Sequence, residues 1–245
     1  MTLSLREHLA MGGEVGVHWL ALGAPALVEI AEASGVAGVV LDAQHGLWTR
    51  EGLEAALRPI KGAPWRLVRL ADHDRAGIST ALDAGADGVI APLVETPEQA
   101  ARIVASARFA PEGERSVGGV RPLAGDLAGY LEAARRGTAV GVMIETEAAL
   151  ARVEEIAAVK GVDFIFIGAG DLVVSLGEFP VAGPKLPKAL ERIQAACRAA
   201  GIACGIFSYG VEDARARRAQ GFALTVLCSD IAVVKQGFAA AAEGF

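Results

Sequence analysis

Two single carboxylates, Glu145 and Asp171, each follow a run of apolar residues. The runs are AVGVMI ahead of Glu145 and FIFI ahead of the GAGD segment that contains Asp171. A strand buried on both faces is a near-continuous Val/Ile/Phe run, and α/β barrels carry their catalytic groups at the carboxyl ends of such strands. Carboxylates without a neighbouring Cys or His cluster suit a hard, oxygen-preferring divalent cation. The pattern therefore predicts metal-assisted chemistry on a small oxyanion.

Polar residues also end two earlier apolar runs. LDAQHG brings Asp42 and His45 to the same predicted rim, and WRLVRL brings Arg69 there. Histidine has an ordinary pKa near neutrality and can move a proton, while an arginine can stabilise a developing negative charge. Asp83 precedes the next run, which puts it at the opposite end of its strand. From the sequence alone, two interpretations of Asp83 are equally good: the helix end that carries it reaches inward to the site, or it is a capping or helix-terminal carboxylate with no catalytic role.

Short apolar runs alternate with amphipathic stretches along the whole chain, in the pattern of eight strand and helix units. Helix starts are visible in the Thr96, Pro97 and Gln99 capping pattern and in the caps Thr49 and Asp74. This order predicts a parallel (β/α)8 TIM barrel, with a doubly wound open sheet as the alternative. The predicted strands are Glu14 to Leu20, Ala37 to Leu41, Trp65 to Leu70, Ala86 to Ala91, Ala139 to Ile144, Asp163 to Gly168, Ile202 to Phe207 and Ala223 to Cys228.

Composition excludes several classes of protein. The 245 residues, 53% hydrophobic with 30 glycines, suit one domain spanning 1–245. The net charge is −6 and the basic residues are scattered, which argues against a nucleic-acid partner. The longest uncharged stretch, Val15 to Val28, is too short to span a bilayer. The three cysteines are odd in number and have no metal-ligand spacing, which fits a reducing compartment without disulfides. No secretory signal is recognisable either, so we expect a cytoplasmic protein.

One connection, Arg108 to Gly137, is longer than a barrel needs to join two strands. Its arginines, Arg115 and Arg121, could cover a substrate or contact a neighbouring subunit, but a structural role is favoured. The tryptophans Trp19, Trp48 and Trp65 are expected to pack near the rim.

The chain resembles the HpcH/HpaI family of metal-dependent, class II pyruvate aldolases. The resemblance rests on six separated motifs in the same order: LDAQH, VRL, LDAGADGVIAPLVETPEQA, FAPEGERSVGG, MIET and GVDFIFIGAGDL. It covers the chain from about Gly16 to the final strand. It implies a (β/α)8 barrel that assembles as a hexamer and exchanges its C-terminal helix between paired subunits.

The resemblance also implies roles for individual residues. Glu145 and Asp171 would bind Mg²⁺, Mn²⁺ or Co²⁺, with His45 as the acid/base and Arg69 steadying an enolate. Asp83 would raise the basicity of His45. The segment 168–171, including Gly170 and Asp171, would receive the pyruvate carboxylate on backbone N–H groups, a role that a helix N-terminus can fill.

Where many family members have Glu and Gln, this chain has Gln44 and Met143, a combination that resembles a sub-branch using hydroxypyruvate as well as pyruvate. The expected activity joins either keto acid to an aldehyde, or cleaves a 4-hydroxy-2-keto acid, through a metal-stabilised enolate. No lysine ends a predicted strand, which disfavours a Schiff-base aldolase, and no phosphate-binding turn is evident, which favours an unphosphorylated aldehyde. The alternatives are a metal-dependent acyl-CoA lyase and a non-catalytic barrel that binds a keto acid.

Overall fold

Eight parallel strands close into a barrel in which each strand pairs with its neighbours in chain order. The computed structural model describes residues 3–58, 64–181 and 183–244. Each predicted strand coincides with an observed one, and the ends differ by two residues at most, so the barrel prediction is confirmed and the open sheet is excluded. The strands are β1 Val15–Leu20, β2 Gly38–Asp42, β3 Trp65–Arg69, β4 Gly88–Ala91, β5 Ala139–Ile144, β6 Phe164–Ile167, β7 Ala203–Ile206 and β8 Leu224–Ser229.

Helices surround the barrel, and several begin at the caps that the sequence predicts. Thr96 forms a capping box with Gln99, and Thr49 and Asp74 each accept a backbone N–H in the first turn of their helices. The helices are α1 Leu5–Ala10, α2 Pro25–Ala33, α3 Arg50–Ala56, α4 Arg75–Ala84, α5 Pro97–Ala107, α6 Val120–Ala124, α7 Leu127–Gly137, α8 Glu147–Ala151, α9 Val153–Ala157, α10 Ala169–Ser175, α11 Lys185–Ala200, α12 Val211–Ala219 and α13 Asp230–Glu243.

Side chains alternate between two apolar cores along each strand. Val40, Leu67 and Met143 belong to the core inside the barrel, whereas their chain neighbours pack between the strands and the helices. Because successive strand side chains point to opposite faces, the residues two positions further on also face the barrel axis. Those residues are Asp42, Arg69 and Glu145. The strand periodicity thus aims all three polar side chains into the carboxyl-end mouth of the barrel.

The long connection between β4 and β5 is itself helical, since it contains α6 and α7. Arg121 donates to the backbone carbonyls of Leu57, Ala84 and Glu54. Arg115 donates to Oδ1 of Asp83 at 2.7 Å and is almost completely buried. Within one chain, both arginines therefore hold the connection against the helices that surround the barrel, as the structural interpretation predicts.

The tryptophans do not all lie where the sequence suggests. Trp19 and Trp48 are near the rim, and Trp48 donates to the carbonyl of Leu20 at 2.8 Å. Trp65 is at the opposite end of the barrel, because it is the first residue of β3, and its indole N–H points to the carbonyl of Leu3. The prediction for Trp65 was therefore wrong: an aromatic residue that begins a strand cannot be near the strand's carboxyl end.

Within residues 3–58, 64–181 and 183–244, no helix is long and apolar enough to cross a membrane. The three cysteines are free thiols, two of them buried and Cys228 half-buried.

Candidate active site

Asp42 is the hub of the polar cluster at the barrel mouth. Its carboxylate accepts both Nε and Nη2 of Arg69, the first at 2.8 Å, and the indole N–H of Trp19 at 3.1 Å. The backbone N–H groups of Gln44 and His45 also donate to its Oδ1 at 3.1 and 3.2 Å. Asp42 thus fixes the arginine and the turn that carries the histidine at the same time.

The electrostatics of Asp42 follow from this arrangement. Burial alone would raise the pKa of the carboxyl. The hydrogen bonds and charge of Arg69, with the bonds from Trp19 and His45, outweigh burial and hold the pKa of Asp42 below its ordinary value. Asp42 is therefore a carboxylate throughout the neutral range, and Arg69, which also lies over the Trp19 ring at 5.0 Å, is held in one orientation.

Glu145 is buried, with 2% of its surface exposed, immediately after β5. Its Oε1 accepts the backbone N–H of Leu93 at 2.6 Å. Burial raises the pKa of Glu145, the Leu93 bond lowers it, the charge of Asp171 raises it, and the charges of Arg69 and His45 lower it, with a net rise. The four predicted groups Glu145, Asp171, Arg69 and His45 are therefore close enough to interact electrostatically. The structure brings them together at one rim.

Asp171 is exposed at the rim, on the third residue of α10. Helix α10 begins at Ala169, since the N–H of Leu172 bonds to the carbonyl of Gly168. Asp171 and Gly170 therefore lie within the first helical turn, where backbone N–H groups lack partners in the helix. Gly170 is exposed, and the nearest atom to the place where a Cβ would stand is the Tyr209 hydroxyl, at 3.8 Å.

His45 is exposed, and it follows Asp42 by three residues in a tight turn. Gly46 allows this turn, because a Cβ there would lie 2.1 Å from the carbonyl oxygen of Asp42. The imidazole can therefore reach a ligand in the mouth of the barrel while its backbone remains anchored to Asp42.

Asp83 does not join this cluster within one chain. It lies in the last turn of α4, close to the start of β4, and its carboxylate accepts Arg115. Helices that follow strands return to the amino end of the barrel, so Asp83 and His45 are at opposite ends of the same molecule. The sequence analysis placed Asp83 at the end of its strand away from the rim, and the structure confirms this location.

The sequence did not reveal three features of the site: the hub role of Asp42, the Leu93 N–H bond to Glu145, and the Trp19 bond to Asp42. The LDAQHG motif predicts Asp42 as a rim residue, but it does not predict which groups donate hydrogen bonds to its carboxylate. Leu93 has an apolar side chain, and its contribution is a backbone group that no residue pattern shows. Only the β1-β2-β3 and β4-β5 pairings bring these groups together.

Gly168 packs directly against the Glu145 carboxylate. A Cβ at this position would lie 2.5 Å from Oε2 and 2.9 Å from Cβ of Glu145. We expect Gly168→Ala to displace the carboxylate and to destabilise the fold by about 1–3 kcal/mol. With Glu145 as a metal ligand, as the resemblance implies, the same change should weaken divalent-cation binding at least tenfold, because it moves the ligand away from its support. Isothermal titration with Mn²⁺ and urea unfolding measure both effects.

Gly170→Ala is the matched control, since its methyl group would make only an ordinary contact. This variant should unfold at the same or a slightly higher urea concentration, because alanine is the better helix residue. Equal losses of Mn²⁺ affinity in the two variants would show that packing against Glu145 is not what Gly168 provides.

The sequence of this chain is similar to proteins of one known family. The family model for HpcH/HpaI aldolase/citrate lyase matches residues 16–236. A 4-hydroxy-2-oxovalerate aldolase of Novosphingobium aromaticivorans is 37% identical over 192 residues, which cover 75% of this chain and 73% of that protein. A hydroxypyruvate/pyruvate aldolase of Rhizorhabdus wittichii is 34% identical over 221 residues, covering 88% of each.

A solved structure agrees with the sequence comparison. The crystal structure of an HpcH/HpaI aldolase/citrate lyase family protein from Burkholderia cenocepacia superimposes with a TM-score of 0.92 at 32% identity, covering 99% of both chains. The matched region contains the barrel and every residue of the rim cluster. This chain therefore belongs to the HpcH/HpaI aldolase/citrate lyase family.

Proposed function

We propose that the protein is a divalent-metal-dependent aldolase. It joins pyruvate or hydroxypyruvate to an unphosphorylated aldehyde, or cleaves the corresponding 4-hydroxy-2-keto acid. The observation that carries this proposal is the convergence of two carboxylates, a histidine and an anchored arginine at the barrel mouth, with Glu145 influenced by the other three. The relatives named above are aldolases that act on keto acids, which favours this reaction over acyl-CoA cleavage.

Glu145 and Asp171 would hold the cation. The raised pKa of Glu145 comes from burial and from the like charge of Asp171, and a bound cation would relieve both costs. In the described part of the chain no set of three or more His, Cys, Asp or Glu forms a metal site. Two carboxylates that leave other positions to substrate and water oxygens are typical of Mg²⁺, and Mn²⁺ and Co²⁺ are further candidates. The cation would supply Lewis-acid polarisation of the keto group.

Side chains and backbone groups of the protein carry out the proton transfer, the charge stabilisation and the binding of the keto acid. In cleavage, His45 removes the proton of the C4 hydroxyl, the C3–C4 bond breaks, and its electron pair remains on the keto acid as an enolate while C4 becomes the aldehyde carbonyl. His45 then gives the proton to C3 of the enolate, which releases the keto acid. In synthesis, His45 takes a proton from C3 of the keto acid to form the enolate, and it gives the proton to the C4 oxygen once the C3–C4 bond has formed. Arg69 uses Nε and Nη2 on Asp42, so its Nη1 can donate to the oxygen on which negative charge develops. The first turn of α10 would receive the keto-acid carboxylate at Gly170 and Asp171.

The role implied for Asp83 requires a second copy of the chain, because Asp83 and His45 are at opposite ends of one molecule. We propose a hexamer in which the amino end of one barrel, where Asp83 lies, contacts the mouth of a neighbouring barrel, where His45 lies. Helix α13 supports exchange of the C-terminal helix, since Ile231, Val233 and Phe238 are exposed on it and only Asp230 is buried. We also propose a cytoplasmic location, because free thiols are typical of proteins in a reducing compartment.

The proposed function is tested without choosing an aldehyde. Incubation with pyruvate in D₂O and Mn²⁺ should exchange the methyl protons, as followed by NMR, because the first half of the synthesis removes one of them. Chelation should stop the exchange. Absence of exchange of pyruvate and hydroxypyruvate protons with every divalent cation would contradict the aldolase proposal and favour the acyl-CoA lyase or the binding barrel.

A further inference from the structure

Leu93 has a backbone conformation that leucine rarely adopts. Among residues 3–58, 64–181 and 183–244 it is the one non-glycine residue with a positive φ, at 53°. This left-handed conformation costs about 1–2 kcal/mol for a residue with a Cβ, and such residues concentrate at sites where the strain serves a purpose. Leu93 is 50% exposed, so burial of its side chain does not explain the conformation.

The conformation aims the peptide N–H of Leu93 at the Glu145 carboxylate. Leu93 lies just after β4, and Glu145 just after the neighbouring strand β5. The N–H donates to Oε1 at 2.6 Å. A second bond joins the same two turns, from the Thr146 hydroxyl to Glu95 at 2.8 Å. The turn of residues 92–95 is thus tied to the segment that carries Glu145.

The opposite side of the carboxylate is also confined. Gly168 lies so close that no Cβ could fit beside Oε2. Between the Leu93 N–H and the Gly168 backbone, the carboxyl group has little freedom to rotate before any cation binds. A metal ligand that is fixed in advance loses less conformational entropy on binding, and removal of such support usually weakens metal affinity about 10- to 100-fold.

We propose that Leu93 is a positioning residue, whose strained peptide orients Glu145 for the divalent cation. This inference rests on the proposed function, because it assumes that Glu145 is a metal ligand. It predicts that the backbone conformation at position 93 matters and that the leucine side chain does not.

Two substitutions distinguish a role of the backbone conformation at position 93 from a role of the leucine side chain. Both shorten or remove that side chain, but they have opposite effects on the positive φ. Leu93→Gly favours the positive φ and keeps the N–H, whereas Leu93→Val disfavours it because valine is β-branched. We expect Mn²⁺ affinity, measured by isothermal titration without substrate, to be retained in Leu93→Gly and to fall about 10- to 100-fold in Leu93→Val. Leu123→Val, at an exposed leucine of α6, is the matched control and should bind Mn²⁺ like the wild type.

A readout on the metal-free protein tests the contact itself. Hydrogen exchange followed by mass spectrometry should show a protected amide at position 93 in the wild type and in Leu93→Gly, and lost protection in Leu93→Val and Glu145→Ala. Urea unfolding identifies any variant that has lost the fold, and Leu93→Gly remains informative if Leu93→Val is unstable, because loss of affinity in the glycine variant overturns the proposal.

The outcomes distinguish this proposal from the proposed function. Equal Mn²⁺ affinity in Leu93→Val and the wild type overturns the positioning role and leaves the aldolase proposal intact. A wild-type protein that binds no divalent cation overturns both.

Discussion

Replacement of His45 by alanine should reduce aldol cleavage and pyruvate proton exchange by about 10²- to 10⁴-fold, the usual contribution of a general acid/base. The proposed mechanism uses the imidazole of His45 to move the proton in both directions. Among the described residues the His45 ring has no hydrogen bond or ion pair, and Asp42 holds this turn through the backbone N–H of His45. We therefore expect Mn²⁺ affinity and the urea midpoint to remain close to those of the wild type.

The matched control is His8→Ala, the same chemical change at the other end of the barrel. His8 lies on α1 and packs against Trp65, at a ring distance of 4.7 Å. Proton exchange should be unaffected in this variant. If His45→Ala retained full proton exchange while His8→Ala did as well, neither histidine would be the base and the mechanism proposed for the rim would be wrong.

Arg69→Ala should be the most destabilising single change in the cluster. The Arg69 and Asp42 side chains are 10% and 4% exposed, so removal of the arginine leaves an unpaired, buried carboxylate. Breaking a buried pair in this way costs about 3–5 kcal/mol, measured as the loss of unfolding free energy in urea at one fixed protein concentration. Activity should also be lost, because no other cation in the described cluster takes the place of Arg69 beside the substrate.

The loss of stability in Arg69→Ala should change with pH in a defined direction. In the wild type the pKa of Asp42 is lowered, so its contribution to stability is present above the ordinary carboxyl range and is lost as the pH falls through the lowered pKa. Removal of Arg69 takes away two of the effects that lower the pKa of Asp42 and leaves burial, which raises it. The Arg69→Ala protein should then lose stability relative to the wild type as the pH rises from acid to neutral.

Arg50→Ala removes an arginine whose partner, Glu54, is on the same helix, with side chains 69% and 47% exposed. Exposed pairs of this kind contribute little, so this variant should unfold like the wild type. A similar loss of stability in both arginine variants would show that the burial of the Asp42 pair is not the cause.

The barrel could be predicted almost completely from the sequence. Runs such as AVGVMI and FIFI are buried on both faces, and their apolar residues alone are enough to predict a strand. The caps Thr96 and Asp74 are equally local, since a cap depends on residues within one helical turn. Strand ends were less accurate, because the last residues of a strand depend on pairing with neighbours that are distant in the chain.

The site was predictable where it depends on position along a strand. Arg69 ends a strand, and Glu145 and His45 follow strands, so their approach to one rim follows from the parallel topology and the period of two. Asp83 shows the limit of such reasoning. Its resemblance-derived pairing with His45 stays a prediction, and within one chain the carboxylate is bound by Arg115 instead.

The sequence by itself determined the element order, the polar residue types at the strand ends and the end of the barrel at which they lie, because these are properties of neighbouring residues. The tertiary structure alone decided the partners: Asp42 as the acceptor for Arg69 and Trp19, and the Leu93 N–H and Gly168 on either side of Glu145. The physical reason is that hydrogen bonds and close contacts act over a few ångströms in space. Which groups come that close is set by the closure and register of eight strands, and no short stretch of the chain encodes it.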